Sequence, residues 1–315
     1  MIRIGVDFGG TKIEAAALGP DGEVAARIRT PNPGGYEAAL EAVHDLVQRV
    51  EAAAGPAASV GVCAPGSPSP RDGLMRNANS TWLNGRPFGR DLSHRLGRPV
   101  RVANDANCFA LSEAVGLAGA RVVFGVIIGT GCGGGVVVDA ALVEGANGIA
   151  GEWGHTPLPW MSPAEHPGPR CWCGRLGCLE TWISGKGFEA DYVRAGGEAV
   201  AAETIVARAR AGEAGAVAAL GRYIDRLARG LAAICDILDP DAIVLGGGMS
   251  NVDELYAAVP PRLAERIFSD VCETRLLRAR HGDSSGVIGA AWLWSEAEIS
   301  HGSSPPGGST GRRPG

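Results

Sequence analysis

One phrase in this chain occurs twice, and it restricts the fold more than any other feature. Residues 2–18, IRIGVDFGGTKIEAAAL, read as an apolar strand, a glycine-rich turn and a second strand. Residues 122–138, VVFGVIIGTGCGGGVVV, repeat that pattern although few letters are shared, and DAIVLGGGMS at 241–250 repeats its first half. Short apolar runs bounded by glycine are strand signals, and strands alternating with helical stretches indicate an α/β fold. The helical stretches are present. Leu40, Val43, Leu46, Val47 and Val50 fall three or four apart between Tyr36 and Ala54, and Gly55-Pro56 ends the run. Val217, Leu220, Ile224, Leu227, Leu231 and Ile234 mark a second long helix. PVRVA leads into NDANCFALSEA, which places Asn104 and Asp105 where a strand gives way to a helix. Ligands commonly bind at such strand ends in open α/β sheets.

With 315 residues the chain has enough interior for two domains. The repeat divides it into an N-terminal α/β lobe at 1–119, joined by a C-terminal helix near 286–298, and a C-terminal α/β lobe at 120–285. The segment 299–315 has no apolar periodicity and reads as a disordered tail. Charged residues are only 20% of the chain, the net charge is −5 and no block of like charge occurs. That balance offers no nucleic-acid groove and no membrane patch, and favours small soluble partners. No apolar run reaches the roughly 18 residues a span requires. The opening MIRIGVDFGG lacks the basic and apolar regions of a secretion signal, so the expected location is cytoplasmic.

Glycine-rich turns let backbone N–H groups approach an anion where a Cβ would obstruct them. DFGGTK lacks the spacing of a Walker A loop, and strand rather than helix follows it. Any one such loop is equally consistent with a tight hairpin. Asp7 ahead of Gly9 and Gly10, with Thr11 and Lys12 behind, favours phosphate and Mg²⁺, because a hairpin alone needs neither carboxylate nor cation. Gly129, Thr130 and Gly131 admit the alternative of a β-bulge, and Gly246, Gly247 and Gly248 that of a plain strand-to-helix turn. Asn104 fits a helix cap as well as a functional group. Asp105 suits phosphoryl transfer, which needs a carboxylate to accept the proton of an attacking hydroxyl and does not require a raised pKa.

Three of the eight cysteines cluster in CWCGRLGCLE at 171–180, downstream of GEWGH at 151–155. One residue separates Cys171 from Cys173, too few for a relaxed disulfide, and no secretion signal implies an oxidising compartment. His155, Cys171, Cys173 and Cys178 make the Cys₃His set of structural zinc sites, with no coordination position left for substrate. Such a cage would hold Glu152 and Glu180 in place, although both are also compatible with solvated surface charge.

In order and spacing, DFGGTK, NDAN, GTGCGGG, GEWGH, CWCGRLGCLE and LGGGMS resemble the ROK family of sugar kinases and repressors, over residues 2–294. RNANSTWLNG at 76–85 and HGDSSGVIGAAWLW at 281–294 look most similar to its bacterial fructokinase branch. The resemblance implies an actin/hexokinase-type α/β fold, with two ribonuclease-H-like lobes and an interlobe cleft, and an ATP-dependent hexose kinase that uses Mg²⁺ and structural Zn²⁺. By position it implies Asp105 as general base toward a C6 hydroxyl. Asp7, Gly9, Gly10, Thr11, Lys12, Gly129, Thr130 and Gly131 would hold phosphates, and Gly246, Gly247 and Gly248 would lie near the adenosine. Gly66, Asn79, Asn104, Asp105, Glu152, His155 and Glu180 would reach the sugar, His155 also binding zinc. Fructose is the expected hexose, with glucose, mannose or an N-acetylhexosamine as alternatives, and a homodimer is implied. A repressor is the rival from another class, but the first strand begins at residue 2 and no helix-turn-helix precedes it. A non-catalytic sensor is the third possibility.

Overall fold

The computed structural model describes residues 1–300. The chain divides into two compact units, one of residues 1–105 with 286 onward, the other of residues 106–285. In the first, β1 (Ile2–Phe8), β2 (Lys12–Leu18) and β3 (Val24–Pro31) form an antiparallel meander. Helix α1 (Tyr36–Ala54) follows, then β4 (Ala57–Cys63), a small hairpin of β5 (Ser67–Pro68) and β6 (Met75–Arg76), helix α2 (Phe88–Leu96) and β7 (Val100–Ala103). The sheet order is β3-β2-β1-β4-β7, with β4 and β7 parallel to β1. The predicted stripe on α1 is buried as expected: Leu40, Val43, Leu46, Val47 and Val50 enter a core with Ile4, Val6, Val60 and Val62. Strand β3, which sequence reading passed over, shows the exposed-to-intermediate alternation of a sheet edge rather than an apolar run.

The second unit begins with α3 (Asp105–Ala114), whose first residue still belongs to the first unit. Then come β8 (Val122–Ile128), β9 (Cys132–Val138), β10 (Ala141–Leu142), the short α4 (Glu180–Ile183), α5 (Gly185–Arg194), α6 (Ala202–Arg210) and α7 (Ala214–Leu238). Strand β11 (Ala242–Gly246), α8 (Glu254–Ala264) and β12 (Arg275–Arg278) complete it. Its sheet order, β10-β9-β8-β11-β12, reproduces that of the first unit, with the same antiparallel and parallel pairings in the same places. The repeated phrase therefore marks a repeated topology. On α7, Leu220, Ile224, Leu227 and Leu231 face the core, whereas Val217 is exposed, because Ala216 and Ala219 occupy the core positions of that turn.

The domain boundary lies at 105/106 rather than the expected 119/120. Helix α3 packs on β8 and β9, where glycines replace side chains: a Cβ on Gly125 would lie 2.5 Å from Ala110 Cα, and one on Gly135 would lie 2.7 Å from Ala110 Cβ. That close approach commits the helix to the second sheet. The C-terminal segment is α9 (Ser285–Ala291) and α10 (Glu296–Ser300). Val287 and Ala291 pack on Ala16 and Leu18, and Trp294 Nε1 donates to the Val60 carbonyl at 2.8 Å. Of the expected tail 299–315, Ile299 and Ser300 close α10, and residues 301–315 lie outside the described residues. No helix among the described residues is long and apolar enough to cross a membrane.

Candidate functional site

In the first unit, the β1–β2 turn presents Gly9, Gly10, Thr11 and Lys12, the last three exposed. Asn32 holds this turn, donating from Nδ2 to the Gly9 carbonyl at 2.7 Å and from its backbone N–H to that of Thr11 at 2.9 Å. Asp7 stands opposite Glu14 in the β1–β2 register. Burial raises the Asp7 carboxyl above its ordinary range, Glu14 adds to the shift and Asp105 contributes slightly, while a hydrogen bond with Cys63 and the charge of Lys12 oppose it. A bound cation would reverse the balance by favouring the charged form. Gly286 was not singled out from the sequence, yet a Cβ there would lie 2.9 Å from Asp7 Cγ, so this glycine backs the carboxylate.

Asn104 and Asp105 follow β7 directly, with Asp105 exposed at the start of α3. Gly66 has φ +75, and a Cβ there would strike the Arg76 carbonyl, so the β4–β5 turn requires glycine. Asn79 is exposed beside Ala78, whose backbone N–H and C=O both bond Asn84, at 2.9 and 3.1 Å. Asn84 thus fixes the segment carrying Asn79. It is a positioning residue that sequence reading left inside the motif RNANSTWLNG.

In the second unit, Gly129, Thr130 and Gly131 link β8 to β9, and the Gly129 N–H closes on the Gly131 carbonyl at 3.0 Å. Gly247 has φ +81, and its missing Cβ would lie 2.7 Å from the Ile128 carbonyl, so the turn after β11 abuts the β8–β9 loop only as glycine. Gly246 is buried at the strand end, while Gly247 and Gly248 are exposed. Gly129, Thr130, Gly248 and Lys186 line a common cavity of about 430 Å³. Two predicted glycines, Thr130 and a cation therefore share one recess, and Cβ atoms at Gly129 and Gly248 would meet nothing there. This suits a phosphorylated ligand held by backbone N–H groups.

A ring nitrogen of His155 and the Sγ atoms of Cys171, Cys173 and Cys178 all lie within 4.8 Å of one another. Cys171 Sγ is 3.5 Å from His155 Nδ1, and Cys173 Sγ is 3.6 Å from Cys178 Sγ. A tetrahedron built on Zn–S bonds of about 2.3 Å has edges of about 3.8 Å, so the donor set fits that ion. Backbone pairing shapes the knuckle before any metal binds: Leu158 N–H bonds Gly177 O, Leu179 N–H bonds Thr156 O and Cys171 N–H bonds Arg175 O. Burial pushes the Cys178 thiol up to about 12, so ionising it calls for a nearby cation.

Glu180 connects this knuckle to the glycine loop. One carboxylate oxygen accepts the Cys132 N–H at 3.0 Å, immediately after Gly131, and the other accepts Trp172 Nε1–H at 2.7 Å. Trp172, between two of the cysteines, is 72% exposed and stands edge-on to the His155 ring at 4.9 Å. Sequence reading overlooked it, since one tryptophan in a motif gives no signal of its own. Glu152 is exposed at the start of the turn Trp153–His155.

Residues 3–297 match the ROK family. The chain is 43% identical, over 296 residues covering 92% of it and 97% of the relative, to an N-acetyl-D-glucosamine kinase of Pectobacterium atrosepticum. Among solved structures, a ROK hexokinase from Thermus thermophilus covers 96% of this chain and 100% of its own at TM-score 0.84 and 31% identity. A ROK glucokinase from Streptomyces griseus, in complex with glucose and AMPPNP, covers 93% and 99% at TM-score 0.69 and 26% identity. These neighbours carry the actin/hexokinase fold. The similarity to N-acetyl-D-glucosamine kinases corrects the expected placement in a fructokinase branch, which rested on two short motifs.

Proposed function

The chain belongs to the ROK family, and from that premise we propose that it is an ATP-dependent kinase phosphorylating the C6 hydroxyl of N-acetyl-D-glucosamine. One observation carries the kinase reading: Glu180 bonds both the N–H that follows the glycine loop and the indole set within the cysteine knuckle. A carboxylate suited to sugar hydroxyls is thereby tied to a loop suited to phosphate. The choice of sugar rests on the 43% identity to an N-acetyl-D-glucosamine kinase. Fructose has no comparable support.

In this reading Asp105 accepts the proton of the C6 hydroxyl as that oxygen attacks the γ-phosphate of ATP in line. Gly9, Gly10, Thr11, Lys12, Gly129, Thr130 and Gly131 hold the phosphates through backbone N–H groups and one cation. Gly246, Gly247 and Gly248 lie toward the adenosine. Gly66, Asn79, Asn104, Glu152, His155 and Glu180 orient the sugar, and positioning supplies much of the rate. Asp7 would hold Mg²⁺, which when bound neutralises charge on the transferring phosphoryl group. His155, Cys171, Cys173 and Cys178 would hold a structural Zn²⁺. Ligation through Nδ1 leaves His155 Nε2 as the nitrogen available to a hydroxyl.

A coupled ADP-release assay over N-acetyl-D-glucosamine, N-acetyl-D-mannosamine, glucose, mannose and fructose tests the substrate, with the highest kcat/KM expected for the first. A preference for fructose would reverse the assignment. In the same assay Asp105→Asn should lower kcat by about 10³-fold or more with sugar binding retained. A variant of near-native activity would remove Asp105 from the mechanism.

A further inference from the structure

A second, larger cavity of about 1150 Å³ lies within the second unit, against α5, α7 and the segment that precedes the cysteine knuckle. Its walls carry five guanidinium groups and three carboxylates, an excess of two positive charges. Two of the arginines are structural. Arg226 and Arg229 are 4% and 6% exposed; Arg226 bonds Glu165 at 2.8 Å and Asp191 at 2.7 Å, and Arg229 bonds Glu165 at 2.7 Å. Burial would raise the Glu165 carboxyl, but hydrogen bonds from Arg229 and Arg226 hold it at about 2. The third carboxylate, Asp225, pairs with Arg229 at 3.0 Å and with Arg266 at 2.7 Å.

Arg194 and Arg222 are left sharing Asp191 with Arg226. Arg222 Nε bonds it at 2.9 Å, and Arg194 approaches no closer than 3.5 Å, with its side chain 41% exposed. One carboxylate cannot neutralise three guanidinium groups, so positive charge and N–H donors remain where the cavity meets solvent. The opposite kind of surface is also present. Trp160 lines the cavity, is 58% exposed and has φ +49, a left-handed conformation costly for a bulky residue. Arg229 Nη1 holds it there by donating to the Pro159 and Trp160 carbonyls at 3.1 and 2.9 Å. A buried arginine thus keeps an indole displayed at the wall of a cationic cavity. Guanidinium forks bind phosphate oxygens, and aromatic faces suit the C–H face of a sugar ring.

We propose that this cavity is a second ligand site, which takes a phosphomonoester dianion carried on a sugar ring, with Arg194 and Arg222 at the phosphate and Trp160 against the ring. The kinase's own product belongs to that class, so the site would let product act back on the enzyme. This identity of the sugar rests on the function proposed above; the phosphate half does not.

The test is calorimetric titration of the whole zinc-loaded protein, with its kinase site filled by N-acetyl-D-glucosamine and a non-hydrolysable ATP analogue. The probes are inorganic phosphate and N-acetyl-D-glucosamine 6-phosphate. The wild type should bind one further equivalent of each. The Arg194→Gln/Arg222→Gln double variant should lose about tenfold or more in affinity for both. Trp160→Ala should weaken the sugar phosphate and leave inorganic phosphate unchanged. Turnover at low product concentration should match wild type in every variant. Absence of binding to the blocked wild type, or equal affinity in the double variant, overturns the proposal. Should the double variant not fold by circular dichroism, Arg194→Gln alone carries the same expectation. Failure of N-acetyl-D-glucosamine as substrate would leave the inorganic phosphate arm intact.

Discussion

Glu180 illustrates how much one residue position can carry. Its two oxygens receive separate N–H donors, Cys132 and Trp172, so the fold itself fixes its plane. Replacing Trp172 by Phe keeps the ring that meets His155 and removes only the donor. The expected result is a rise in KM for the sugar of about three- to tenfold, with KM for ATP unchanged. Unchanged constants would mean that the hydrogen bond does not matter, and equal changes in both would mean that it supports the glycine loop as much as the sugar side. At this scale the sequence was legible where chemistry restricts residue type, as with the Cys₃His set and the carboxylate that opens α3. It was silent where an ordinary side chain acquires a role from its neighbours. Asn84, Gly286 and Trp172 are of that kind, because a hydrogen bond or a close approach across tens of residues leaves no local mark.

Among the elements, the knuckle at 171–178 and helix α7 hold the second unit in different ways. The knuckle has short backbone pairings and little apolar content, so on the proposed reading an ion bound there would contribute most of its stability. Cys173→Ser should abolish stoichiometric zinc and lower Tm by about 10 °C, read by metal analysis and calorimetry. Full zinc content in the variant would remove Cys173 from the ligand set. Helix α7 instead relies on burial and on Arg226 and Arg229 pairing with Glu165. The folded Glu165 carboxyl lies near 2, below its ordinary 4.5, so the pairing contributes its full stability above about pH 4.5 and loses it as pH falls toward 2. Glu165→Gln should flatten the stability profile over that window. At neutral pH it should cost about 3 kcal/mol, since two buried guanidiniums lose a partner. An unchanged acid limb in denaturant titrations would contradict this. The periodicity of α7 was readable in advance except at Val217, where alanines took the core positions.

At the scale of the molecule, each unit has its own core, but only one of them is continuous in sequence. The unit of residues 106–285 contains its whole sheet, its helices and the cluster of His155, Cys171, Cys173 and Cys178. The other depends on both ends of the chain: α9 covers Ala16 and Leu18, Trp294 Nε1 bonds Val60 O, and Arg3 Nη1 donates to the Trp294 carbonyl at 2.6 Å. The repeat of strand, turn and strand was visible in the sequence and correctly indicated a doubled topology. The boundary was misplaced because what assigns α3 to the second sheet is the set of missing side chains at Gly125 and Gly135, a packing fact rather than a pattern. This asymmetry gives a test. Residues 106–285 expressed alone should fold cooperatively and bind one zinc. Residues 1–105 alone should expose the Ala16 and Leu18 face and bind a hydrophobic dye, and adding a peptide of residues 286–300 should suppress that signal. If residues 1–105 instead fold cooperatively without the peptide, α9 is an accessory to that core and not a part of it.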